Sequence, residues 1–113
     1  MINILNTKEV LCEHLKKYHT GQEKAVSSKA LEAAFQLNGR EIRKCVNTLR
    51  QDGLPICSDG AGYYYAATQQ EINNTIARLN SHITKVSNAK NGLLNSLLDG
   101  KPASVEIIIK INN

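Results

Sequence analysis

The chain has 113 residues, of which 42% are hydrophobic and 21% charged. That length builds one modest core, burying roughly two-thirds of the unfolded surface, and excludes a large enzyme with its own cofactor-binding domain. Fourteen Lys and Arg against ten Asp and Glu give a net charge of +4, a mildly basic balance that excludes an acidic disordered chain and suits a nucleic-acid partner.

Met1 to Leu5 alternates Ile2 and Ile4 with Asn3, which predicts a short strand. Asn6 with Glu9 three residues on reads as a capping box opening a first helix from about Thr7 to Tyr18. The short segment Glu23 to Ser27 is expected to place Val26 in a one- or two-residue bridge. Ser27 or Ser28 caps a two-turn second helix with Ala30, Leu31, Ala34 and Phe35 on its inner face. Asn38 with Glu41 caps a third helix. Ile42, Cys45, Val46 and Leu49 form its inner stripe, and Arg40, Arg43, Lys44, Asn47 and Gln51 face outward. Gly53 closes it. Leu54 to Ala66 then reads as a β-hairpin around Asp59-Gly60-Ala61-Gly62. One set of its consecutive tyrosines, Tyr63 with Tyr65 or Tyr64 alone, is expected to pack and the other to face out.

Thr68 with Glu71 caps a long fourth helix. Ile72, Ile76, Leu79, Ile83, Val86, Leu93 and Leu97 form a heptad seam interrupted only by Lys90 at an a position, the pattern of a parallel two-stranded coil. These seven residues are the expected homodimer interface. The alternative is a helix broken at Asn91-Gly92 and folded back on its own domain. Val105, Ile107, Ile109 and Ile111 share one face of a C-terminal strand, expected to pair with the Ile2–Leu5 segment. The organisation expected is a domain over 1–66, a dimerising helix over 67–99 and a tail over 100–113.

Helix, bridge, helix, short turn, helix, hairpin is the winged-helix order. The residues Ser27, Leu31 and Phe35, the run Ile42-Arg43-Lys44-Cys45-Val46-Asn47-Thr48-Leu49-Arg50, Gly53, and Gly60-Ala61-Gly62-Tyr63 carry a likeness. On them, Ser27 to Tyr65 resembles the N-terminal DNA-binding domain of biotin repressors and its helix-turn-helix relatives (the type 11 group). The resemblance implies a winged helix-turn-helix fold and a double-stranded DNA partner. It places Ser28, Lys29, Asn38, Arg40, Arg43, Lys44 and Asn47 against the duplex and makes Ser58, Gly60, Ala61 and Gly62 the wing. The biotin ligase part of those repressors is missing, so no biotin chemistry follows. Wings of the group often carry a basic residue between the glycines. Here Ala61 stands there and Asp59 precedes it, so either the wing contributes little or Lys24 and Lys29 supply the missing charge.

The fold class expected is thus mainly α with a small β-hairpin, a winged helix-turn-helix followed by a long C-terminal helix and a short C-terminal strand. The function expected is sequence-selective DNA binding by a small dimeric transcriptional regulator or a phage or mobile-element accessory protein. The alternative is a winged-helix protein-interaction module in a larger assembly. No catalytic residues are identified: the sequence contains no G-x-S-x-G, Walker or H-E-x-x-H motif. Cys12, His14 and His19 lack a fourth ligand and the usual spacing for zinc, so no metal or cofactor is expected. Three widely spaced cysteines, no secretory pattern and no apolar run near the ~18 residues of a membrane span point to the cytoplasm.

Overall fold

The computed structural model describes residues 4–98. They form α1 (Ile4–Tyr18), a 3-10 turn (Gln22–Lys24), α2 (Ser28–Phe35), α3 (Gly39–Gln51), β1 (Ile56–Asp59), β2 (Gly62–Tyr65) and α4 (Gln69–Leu98). The chain is mainly helical, with one antiparallel hairpin and a long C-terminal helix, as its periodicities require.

Most expected caps form. The Ser27 side chain accepts from the Ala30 amide at α2, and Asn38 and Glu41 make a complete capping box at α3. The Thr68 hydroxyl accepts from the Glu71 amide while the Glu71 carboxylate accepts from the Thr68 amide, both at 3.2 Å. The start of α1 differs. Ile4 and Leu5 are helical, so Asn6 lies inside the helix and caps nothing. Two alternating apolar residues are too short a pattern to separate period 2 from period 3.6, and Ile4 stands seven residues before Leu11, a helical interval. The rest of the proposed N-terminal strand and the whole tail strand at 105–111 lie outside the described residues.

Leu11 and Leu15 of α1, Leu31 of α2, Ile42, Val46 and Leu49 of α3 and Ile56 of β1 make the core, each no more than 2% exposed. Ala30 and Ala34 are exposed, so α2 enters this core through Leu31 and half-buried Phe35 alone. Phe35 also meets the His14 ring edge-on at 5.3 Å. Burial, helped by neighbouring His19, pushes the His14 imidazole below its ordinary value.

The hairpin pairs Ile56 with Tyr65, Cys57 with Tyr64, Ser58 with Tyr63 and Asp59 with Gly62. The Val26 bridge forms: Val26 and Tyr63 exchange two backbone hydrogen bonds of 2.8 Å. A second bridge, Thr20 with Tyr65, has no signal in the sequence. The tyrosines depart from the one-sided expectation. Tyr63 and Tyr65 pack on the helical core, while Tyr64 is 2% exposed. The hairpin has two covered faces because the first turns of α4 lie over the second one. There Thr75, itself buried, accepts from the Ser58 amide at 3.3 Å.

The described residues accordingly divide into two compact units, the first ending at residue 76 and the second beginning at residue 77. The first takes in the opening of α4, beyond the boundary expected at residue 66, because Glu71 and Thr75 fasten it. The Glu71 carboxylate accepts from the amides of Gln22 at 2.8 Å and Ala67 at 2.7 Å. These bonds, the Gln22 amide first, hold its pKa below the ordinary 4.5. A depressed carboxylate stabilises the fold above its unfolded value, and that stabilisation is lost as pH falls through the folded one. Glu71→Gln is therefore expected to lower the melting temperature at neutral pH. Its loss of stability on acidification below pH 4.5 should also be shallower than that of wild type. Melts superimposing on wild type at every pH would remove this role.

In the second unit, residues 77–98 continue α4 without a break, and Asn91 and Gly92 are helical. The break that folding back would use is absent. Among the described residues no helix is long and apolar enough to cross a membrane.

Candidate nucleic-acid interface

Residues 36–38 join α2 to α3. Gln36 takes the left-handed conformation (φ 55°, ψ 45°) and its amide donates to the Glu32 carbonyl, ending α2 sharply. For a residue with a Cβ this conformation costs about 1–2 kcal/mol. Leu37 anchors the turn against the core, its amide also donating to the Glu32 carbonyl at 3.1 Å. Asn38 then starts α3: its Oδ1 accepts from the Glu41 amide at 2.9 Å, and its own amide donates to Glu41 Oε1 at 3.0 Å. Glu41 thereby spends its carboxylate on the helix start, where negative charge is favoured.

With Ile42, Val46 and Leu49 turned inward, Arg40, Arg43, Lys44, Asn47 and Gln51 are exposed on the other side of α3. Their spacing of three, four and seven from Arg40 puts the first four on one face. None of those four side chains hydrogen-bonds or ion-pairs within the described residues. The single ion pair there is Lys8 with Asp52, at 2.9 Å. It joins α1 to the end of α3 and, being exposed, contributes little stability. The Arg43 guanidinium and the Glu32 carboxylate both approach Gly39, which has no side chain to displace them.

Other expected contact residues divide. Lys29 is exposed. Ser28 is half-buried and its hydroxyl donates to Glu32 Oε2 at 3.0 Å, so it serves its own helix. At the hairpin, Gly60 and Ala61 are the open tip. Asp59 shapes that tip by accepting from the Ala61 amide and from Gln22 Nε2, each at 2.8 Å. Ser58 is turned inward, accepting from Arg50 Nη2 at 3.0 Å. Gly62 lies against the Val26 backbone.

Arg50 is the residue that sequence reasoning does not single out for a structural role. Its Nε donates to the Ile56 carbonyl at 2.7 Å and its Nη2 to Ser58. It couples the end of α3 to the first strand, and burial lowers its guanidinium pKa. The one signal for it is an arginine immediately after the buried Leu49, on the edge of the inner stripe. Between α1 and α3 runs a mostly apolar groove of about 360 Å³, bordered by Thr7, Lys8, Leu37, Glu41, Lys44, Cys45 and Thr48. Burial pushes the Cys45 and Cys12 thiols up, the behaviour of packing residues rather than of nucleophiles. Among the described residues no group of three or more His, Cys, Asp or Glu could hold a metal ion.

On α4, Ile72 and Leu97 are half-buried. The five large apolar residues between them on the seam are exposed, from Leu79 at 41% to Leu93 at 69%. Lys90 is exposed among them. No family model, curated protein or solved structure matches the chain.

Proposed function

We propose that the chain is a winged helix-turn-helix protein that binds double-stranded DNA sequence-selectively. In this reading it is a small cytoplasmic transcriptional regulator or a phage or mobile-element accessory protein. The observation that carries the reading is the outer face of α3. Arg40, Arg43, Lys44 and Asn47 stand together, exposed and uncommitted, on a helix that follows a three-residue turn and is clamped from behind by the core. A helix of about 11 Å diameter fits a major groove about 12 Å wide. Arginine can grip guanine O6 and N7 with two bonds, asparagine can do the same at adenine N6 and N7, and Lys44 suits a phosphate. Binding to duplex DNA by the full chain tests this. Affinity that falls steeply between about 50 and 200 mM salt is expected.

One observation favours a second reading, a protein-docking winged helix. The hairpin tip carries no cation, only Asp59, Gly60 and Ala61. If the chain binds no duplex even at low salt, that reading replaces the first.

The exposed seam of α4 is the proposed contact for a second copy, which would hold two α3 helices at a fixed separation. Sedimentation is expected to show a dimer, and Ile83→Glu with Val86→Glu a monomer of unchanged helicity. A monomeric wild type would refute the interface.

A further inference from the structure

Every charged side chain between Ile72 and Leu98 is cationic: Arg78, Lys85 and Lys90. Lys90 belongs to the seam. Arg78, His82 and Lys85 follow one another at intervals of four and three. At ~100° per residue they form a single line about 100° around the helix from the seam. All three are exposed. With Ser81 they border a polar cleft of about 320 Å³. The opposite flank carries Asn73, Asn80, Ser87 and Asn91 and has no charge. Beyond Glu71, two of the three cations of this helix, Arg78 and Lys85, therefore lie on one side, and neither is in a salt bridge with another described residue.

We propose that Arg78, Ser81, His82 and Lys85 of α4 form a second contact surface for nucleic acid, one that holds the phosphate backbone and reads no bases. The proposal rests on the DNA-binding reading of α3 and assigns the protein a further site. The line from Arg78 to Lys85 is ~10 Å long, about three steps of ~3.4 Å rise along one strand. Two permanent cations meet two phosphates, while the Ser81 hydroxyl and the His82 ring N–H can donate to phosphate oxygens between them. The far flank is uncharged and the seam carries a single cation, Lys90, so this side is where two cations of the helix stand together.

Two variants of the full chain test it, each titrated with the same duplex over a salt series. Arg78→Ala with Lys85→Ala is expected to bind more weakly. Its slope of log affinity against log salt should be shallower by about 2 units, with the ranking of duplex sequences unchanged. Arg78→Lys with Lys85→Arg is expected to keep the wild-type slope, because a phosphate contact needs charge and not one side-chain shape. These residues are exposed, so circular dichroism should show both variants folded. A wild-type slope in the alanine variant, or loss in the charge-preserving one, overturns the proposal while leaving α3 as the reader. Absence of duplex binding by wild type overturns both readings.

Discussion

Gly62→Ala is expected to destabilise the chain by about 3 kcal/mol or more. For a domain of this size that lowers the melting temperature by on the order of 15 °C. Two effects combine. Gly62 has φ of 140°, a conformation that residues with a Cβ rarely adopt. A Cβ there would also press into the Val26 carbonyl and stand 2.9 Å from the Ser27 amide nitrogen. Neither obstacle is the end of a flexible side chain. Both are backbone, held by the Val26–Tyr63 bridge and by the start of α2. Relief would require the hairpin to leave α2, opening the edge of the core at Tyr63. Gly60, two residues earlier at the tip, is open: a Cβ there would meet nothing within 4 Å. Gly60→Ala is the matched control and should melt within a few degrees of wild type. Equal melting of the two variants would show that the hairpin does not dock on Val26.

Arg43→Ala with Lys44→Ala should leave the melting temperature nearly unchanged and weaken duplex binding about 10- to 100-fold at low salt. The basis is one lost bidentate base contact, worth about 1–3 kcal/mol, together with a lost phosphate contact. The single variants separate the roles. Without Arg43 the preference among duplex sequences should flatten. Without Lys44 the preference should persist while the salt slope falls by about 1 unit. The burial pattern explains why stability is spared: both side chains are exposed and make no hydrogen bond or ion pair among the described residues, whereas Ile42 and Val46 beside them carry the packing. Unchanged affinity in the double variant would detach α3 from DNA and favour the protein-docking reading.

The parts of this fold legible in the sequence are those set by neighbours a few residues apart. Capping pairs such as Asn38 with Glu41 and Thr68 with Glu71 announce helix starts because donor and acceptor lie within one turn. The exposed face of α3 is legible for the same reason, since the spacing of Ile42, Val46 and Leu49 leaves Arg40, Arg43, Lys44 and Asn47 on the far side. The unread parts are joined across the chain. Nothing local couples Gln22 to Glu71 or to Asp59, or Ser58 to Thr75, yet these contacts shape the hairpin tip and draw the opening of α4 into the first unit. Tyr64 is ambiguous in the sequence because alternation assigns a strand residue to a face but does not say whether a later helix covers that face. Asn6 misleads because a capping residue with Glu three positions on can equally stand inside a helix that began earlier.

The most direct measurement is a map of backbone amide shifts, residue by residue, as a duplex selected from random sequence is added to the full chain. If the outer face of α3 lies in the major groove, the largest changes fall on Asn38, Arg40, Arg43, Lys44 and Asn47, with smaller ones at Lys29. Changes confined to the hairpin and α1, with the α3 amides unmoved at saturating duplex, would contradict it.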